Sequence, residues 1–293
     1  WYDGVGAGSE VFLRGVQMQE RASIRLLKER FLMLRVFPLS LLLFSFCLGG
    51  VSFASSSVHE VRGDFKATTN QAKLVKALAK ALDPESMTVT FVDGPKENGD
   101  ISGLYLDIVG PSAGTDYRLD RFSLSGALVR LTPPSQWDAG DLKTFRPSKW
   151  EGLFNAELLL KESTAREALA LFSRTQGDEQ WRDLSLDFRP GKILLKGTYR
   201  VNGGMRAAFK ITTGLELRGG RQIWLANPEG QINNDEQTQA IRSKIQEINP
   251  PADFDKLGIP LVLRTIKISD RELRIATGKP PRPLDGDTWK YVR

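Results

Sequence analysis

The chain holds one cysteine, Cys47, and one histidine, His59. These are the two side chains most used for metal binding and for nucleophilic or proton-transfer chemistry near neutral pH. One of each cannot build a four-ligand Cys/His zinc site. A lone cysteine allows no intrachain disulfide. Any Ser-His-Asp machine has to run through His59. That residue lies in a Ser-rich stretch just after a leader-like segment, where a chain end is expected to be loose. Carboxylate pairs are the remaining route to acid–base chemistry, as in glycosidases. Asp253/Asp255 and Asp235/Glu236 are such pairs. Both fall at loops or helix starts, where acidic residues are favoured without catalysis. Gly4, Gly6 and Gly8 follow a GxGxG spacing rather than GxGxxG, and no strand pattern precedes them. No HExxH, phosphate-binding loop or calcium-loop pattern occurs. The expectation is a protein without catalytic residues, metal or cofactor.

The first part of the chain reads as an address. Residues 39–48 are an uncharged apolar run, with Arg35 just ahead of it and Ser52 and Ala54 behind. A basic flank, a short apolar core and a small-x-small end describe a secretory signal peptide. The apolar stretch Val36–Val51 is short for a membrane span of about 20 residues. Residues 33–54 are therefore expected to be the signal, starting at Met33 and cleaved after Ala54. Residues 1–32 read as mis-called upstream sequence. Cleavage leaves 293 − 54 = 239 residues and a net charge of 35 − 31 = +4, against +6 for the whole chain. It also removes the cysteine. The composition, 41% hydrophobic and 26% charged, is that of a globular chain and not of a disordered one.

Apolar spacing then gives the elements. Leu74, Val75, Leu78, Ala81 and Leu82 form one stripe, predicting a helix over 71–83 capped by Asn70 and ended by Pro84. Strands are predicted at 87–92, 101–109, 117–131, with a bulge near Asp120, and 153–160. A Thr164/Glu167 capping pattern opens a helix over 165–174. The clearest signal follows. Leu184, Leu186 and Phe188 alternate with polar residues, as do Ile193, Leu195, Tyr199 and Val201, and then Phe209, Ile211, Leu215 and Leu217. Asn202-Gly203 and Gly219-Gly220 are turn pairs. This is an antiparallel meander with one dry and one wet face. A helix over 235–248, capped by Asn234, and a hairpin at 261–268 and 272–277 complete the pattern. Residues 132–149 read as a long loop. Residues 278–293 read as a polar, Pro-rich tail docked by Trp289. A single domain over 55–277 is expected.

The stretch 184–277 resembles the LmeA-like phospholipid-binding family of exported bacterial proteins. The resemblance rests on Leu195-Lys196-Gly197-Thr198, on Pro-Ala-Asp-Phe-Asp-Lys-Leu-Gly-Ile-Pro-Leu at 251–261, and on the closing hairpin 266–275. Residues 86–131 and 165–174 fit the earlier half of the family more loosely. The resemblance implies an α+β fold like the tubular lipid-binding proteins. In such a fold a long, strongly curved antiparallel β-sheet wraps around amphipathic helices and holds acyl chains in an apolar groove. No motif residue carries over as a lipid site. The candidates come from the helix faces: Leu74, Leu78, Leu169, Phe172, Ile241 and Ile245.

The expected protein is thus an exported, non-enzymatic lipid binder of the cell envelope. Its partners are phospholipid and a membrane surface. Nucleic acid is not expected, because the Lys and Arg residues are spread along wet strand faces of an exported chain. The alternatives are an envelope assembly protein that binds partners through sheet edges, and a hydrolase with a carboxylate pair.

Overall fold

The computed structural model describes residues 57–112, 118–150, 154–175, 181–200, 205–253 and 261–293. The expected signal peptide and upstream segment lie outside these residues, as do the Asn202-Gly203 turn and most of the 251–261 segment. Among the described residues no helix is long and apolar enough to cross a membrane.

Helix α1 (Asn70–Leu82) forms where the sequence places it, with its cap one residue earlier. Thr69 is extended, and its side chain accepts from Ala72 N, so it satisfies an N–H that has no partner within the helix. Asp83, in the left-handed region, ends the helix and returns its N–H to Ala79 O. Leu74, Val75, Leu78 and Leu82 are buried.

The helix packs on a nine-stranded sheet. Its strands are β1 (Val58–Arg62), β2 (Ser86–Val92), β3 (Asp100–Val109), β4 (Arg121–Leu131), β5 (Pro147–Trp150), β6 (Phe154–Lys161), β13 (Thr265–Ile268), β14 (Glu272–Ala276) and β15 (Asp287–Val292). The spatial order is β1-β15-β2-β3-β4-β6-β14-β13, with β5 beside β4. Every pair is antiparallel except β1 with β15. The long loop 132–149 is packed rather than open. Trp137, Leu142 and Phe145 join the core under α1, and Trp137 Nε1 donates to Thr132 O at 2.7 Å.

The second sheet has six strands: β7 (Trp181–Arg189), β8 (Lys192–Arg200), β9 (Arg206–Arg218), β10 (Gln222–Ile232), β11 (Asp235–Glu236) and β12 (Ala252–Asp253). The order is β11-β10-β9-β8-β7, with β12 also on β10. Helices α2 (Glu162–Thr175) and α3 (Thr238–Ile248) belong to this sheet. The class is α+β, as expected, with two open sheets in place of the single long one.

Several expectations change for physical reasons. The tail 278–293 supplies β15, which pairs with β2 and β1, and its Trp289 and Tyr291 are buried in the first core. His59, expected in a loose end, lies in β1 opposite Trp289 and stacks on it with ring centroids 4.4 Å apart. The third helix starts at Thr238 and not at 235. Asn233 and Asn234 both take positive φ, the backbone of a two-residue hairpin turn, so Asp235 and Glu236 pair back onto β10. The second helix begins at Glu162, ahead of the Thr164 pattern, because β6 runs straight into it. Glu162 N donates to Arg271 O at 2.8 Å as the chain turns. The expected bulge near Asp120 is not inside a strand. Asp120 instead precedes β4 and accepts from Lys161 N at 2.6 Å.

Two carboxylates at one end of the first sheet tie stability to pH. The Arg130 guanidinium grips Asp100 at 2.5 and 3.0 Å and holds its carboxyl below the ordinary range. Lys96, at 2.7 Å, does the same for Asp93. A folded pKa below the unfolded one adds stability above the unfolded value, about pH 4, and loses it as pH falls through the folded value. Asp100→Asn should therefore cost at most about 1 kcal/mol at neutral pH, since the pair is half exposed. The variant should also show a shallower loss between pH 4 and 2 in paired urea titrations. Parallel acid limbs for the two proteins would refute the assignment.

Candidate functional site

Residues directly opposite in an antiparallel ladder share a face. The register of the second sheet therefore sorts its side chains. Leu186, Leu195, Ile211 and Gly230 stand in one row across β7, β8, β9 and β10. Phe188, Ile193 and Thr213 form a neighbouring row, and Gly197 with Phe209 and Ile232 another. These rows make one apolar face. Lys196 with Lys210, and Arg200 with Arg206, lie on the other.

The apolar face is covered unevenly. At one end Phe188, Ile193, Leu215, Leu217 and Ile223 pack against Ile268, Leu273 and Ile275 of β13 and β14, so the two sheets share a second core there. Toward the other end the same face continues past that cluster. There, along β9, the apolar side chains Ala207, Phe209 and Ile211 are half-buried, and none is fully buried. The strands β2 to β4 of the first sheet, by contrast, are largely buried.

Two helices border this face. Helix α2 closes the free edge of β7. Glu162 accepts from Phe188 N at 2.5 Å, and Arg166 donates to Leu186 O at 2.7 Å and to Asp187 at 2.6 Å. These contacts satisfy backbone groups that an edge strand leaves open. Helix α3 lies on β10. Its Ile241 reaches so close to Gly230 that a Cβ there would sit 2.6 Å from Ile241 Cδ1 and 2.7 Å from Lys210 O. Gly230 is thus the seat of α3. Gly197 has the same kind of role within the sheet: a Cβ there would meet Leu184 Cδ2 at 2.5 Å and Phe209 Cζ at 2.9 Å. These two side chains lean over the bare backbone.

Gly230→Val should therefore lift α3 from the sheet. We expect a loss of about 1–3 kcal/mol, as for other overpacked sites. Limited proteolysis should show new cleavage inside 238–248. A variant as stable and as resistant as the parent would mean that α3 is not seated there.

The six candidates from the helix faces divide between two places. Leu74 and Leu78 are 3% and 4% exposed in the filled core between α1 and the first sheet. Ile241 and Ile245 are buried on α3, over the second sheet. Leu169 is half-buried on α2, and the side chain of Phe172 lies outside the described residues. The structure does not bring the α1 pair together with Leu169, Ile241 and Ile245. The sheet residues Leu195, Phe209 and Ile211 were not nominated, although their alternation marked them as one face.

His59 does meet a serine and a carboxylate. Ser57 Oγ lies 2.9 Å from His59 Nε2 and donates to Asp287 Oδ1 at 2.8 Å. A triad needs the carboxylate on the far ring nitrogen and the serine proton directed at the imidazole. Here Asp287 holds the serine itself and also accepts from Gln71 Nε2. The cluster ties the start of β1 to β15 and α1. Of the carboxylate pairs, Asp253 accepts from Gln222 Nε2 in the second sheet, and Asp255 lies outside the described residues. Asp235 and Glu236 are exposed in β11. No group of three or more metal-ligand side chains occurs among the described residues.

The described residues thus form an α+β chain of two open sheets, with a half-buried apolar face on the second. A family model described as LmeA-like phospholipid-binding matches residues 68–278, well over half of the chain, and the protein belongs to that family. The match includes both bordering helices and the whole second sheet; β1 and β15 fall outside it. No curated protein and no solved structure is similar enough to count as a match.

Proposed function

We propose that the protein is an exported, non-enzymatic phospholipid carrier or holder of the cell envelope. The acyl chains lie on the apolar face of the second sheet, between α2 and α3. The observation that carries this reading is the apolar row along β9 that is only half-buried, in a chain of a phospholipid-binding family. Strands β7 and β10, which the two helices border, stand three strand spacings apart, about 14 Å. Helix α2 closes the edge of β7 and α3 lies on β10, so an acyl chain would lie on the face of β8 and β9 between them. Each methylene buried there contributes about 0.8 kcal/mol. Curvature of this sheet around the lipid, as in tubular lipid-binding proteins, is part of the proposal. The signal at 33–54 would deliver the chain to the periplasm or its equivalent, soluble or loosely attached to the membrane.

Leu74 and Leu78 have no part in this site, because the first core is filled. Leu169, Ile241 and Ile245 would form its walls. The test is extraction of the chain purified from its export compartment, followed by lipid mass spectrometry. Phospholipid in near-stoichiometric amount is expected. A lipid-free protein that also refuses fluorescent phospholipid would sink the reading.

A further inference from the structure

The chain covers the edges of its sheets with its own elements. Helix α2 bonds to β7 as described above. On β10, Gly230 N donates to Thr238 Oγ1 at 3.0 Å, and Asn249 accepts from Leu225 N at 2.9 Å. Strand β13 meets the second sheet, where Gly191 N donates to Ile268 O at 2.9 Å. Strand β1 is different. Ser57 O accepts from Thr288 N at 2.8 Å, and Gly63 N donates to Val292 O at 3.1 Å. Alternate residues of a parallel ladder bond to the neighbouring strand, so 57, 59, 61 and 63 face β15. The N–H and C=O groups of Val58, Glu60 and Arg62 point outward, and no described residue bonds to them. The side chains of these three residues share one exposed face. Elsewhere in this sheet Asp107 pairs with Arg121, Asp100 with Arg130, and Glu157 with Arg274. Glu60 and Arg62 form no ion pair among the described residues.

We propose that β1 pairs with β1 of a second copy of this chain, antiparallel about a twofold axis at Val61. Charge complementarity selects this partner and this register. Charges on an open edge guard it against pairing. A twofold register centred on Glu60 sets Glu60 against Glu60 of the partner subunit, and one centred on Arg62 sets two arginines together. Like charges directly opposite destabilise a ladder. Centred on Val61, the same residues become complementary. Glu60 stands opposite Arg62 of the partner subunit, and Arg62 opposite Glu60 of the partner subunit. Both pairs are of the kind that exchanges two backbone bonds, so the outward N–H and C=O groups of Glu60 and Arg62 are satisfied. On the other face Val61 meets Val61 of the partner subunit, in the position where facing side chains come closest. Val61 already packs against the first core, so the contact joins the two cores. One patch serves both copies, as a twofold interface requires. The second sheet adjoins the first at β13 and β14, at the far end of the strand order, so its apolar face stays clear of the interface. The inference is therefore independent of the lipid reading.

The experiment compares the full exported chain with four variants by sedimentation velocity over a range of concentrations. These are Glu60→Arg, Arg62→Glu, the charge swap Glu60→Arg/Arg62→Glu, and Glu60→Pro. The parent should pass from monomer to dimer as its concentration rises. Each single charge variant turns both attractive pairs repulsive, so its dimer should be at least about tenfold weaker. The charge swap exchanges the partners of each pair and should dimerise like the parent. Glu60→Pro removes an N–H that faces away from β15, so it should stay monomeric and keep the parent's melting temperature. Hydrogen exchange at the amides of Glu60 and Arg62 should slow as the parent dimerises. A parent that stays monomeric throughout would overturn the inference, as would a dimer indifferent to the single charge variants, which would use another surface. A charge swap as weak as the single variants would overturn the register, because a Glu60 pair against itself gains nothing from the swap. A monomeric parent that crosslinks through β1 to a different protein would assign the edge to that partner and overturn self-pairing.

Discussion

Ile211→Glu should abolish phospholipid binding and leave the fold intact. Ile211 stands mid-face, between Leu195 on β8 and Gly230 on β10. It is half-buried in the free chain, so a glutamate there can still reach water. An acyl chain laid over it removes that water. A desolvated, unpaired carboxylate costs several kcal/mol, which lowers affinity at least about a hundredfold. The loss thus falls on the complex and not on the folded protein. Melting temperature and circular dichroism should stay close to the parent's, while extracted phospholipid falls to background. Retained lipid would place the ligand elsewhere.

Leu78→Ala should do the reverse. Leu78 lies on α1 in the closed core with Val75, Leu82, Met87 and Phe91. Deleting three buried carbons leaves a cavity that close neighbours fill only in part, and the cost is about 2–5 kcal/mol. Chemical denaturation should report that loss. The protein that remains folded should carry as much lipid as the parent. A stable variant with impaired lipid binding would restore Leu78 to the ligand site, where the helix stripe alone had suggested it. Taken together the two substitutions separate filled core from open face, which have the same apolar signature in sequence.

That shared signature explains what could and could not be read from the chain. The alternation over 184–217 placed the apolar row of β7 to β9 on one face, because a period of two needs no knowledge of the partner, but it did not foresee that Leu194, on the opposite face, is buried at 1% exposure. The α1 stripe was equally plain. The family was legible in Leu195-Lys196-Gly197-Thr198, and the structure adds why Gly197 is there: Leu184 and Phe209 occupy the space of its missing side chain. Partners far apart in sequence were not legible. Strand β1 pairs in parallel with β15 across the whole length of the chain, and nothing local marks either as a strand of the first sheet. His59 was misread for that reason, as was the tail from 278. The division into two sheets was hidden as well, since β6 and α2 are contiguous while their hydrogen bonds go to different sheets. The helix-face candidates were drawn from α1, α2 and α3 as if all three lay on one surface. Helix α1 packs on the first sheet, whereas α2 and α3 pack on the second.

The most direct measurement is photo-crosslinking with a phospholipid whose acyl chain carries a diazirine, followed by peptide mapping of the labelled chain. If lipid lies on the apolar face between α2 and α3, label will appear within 193–217 and on 238–248, and Ile211→Glu will remove it. Label concentrated on α1 and the first sheet, or spread evenly over the surface, would contradict the account.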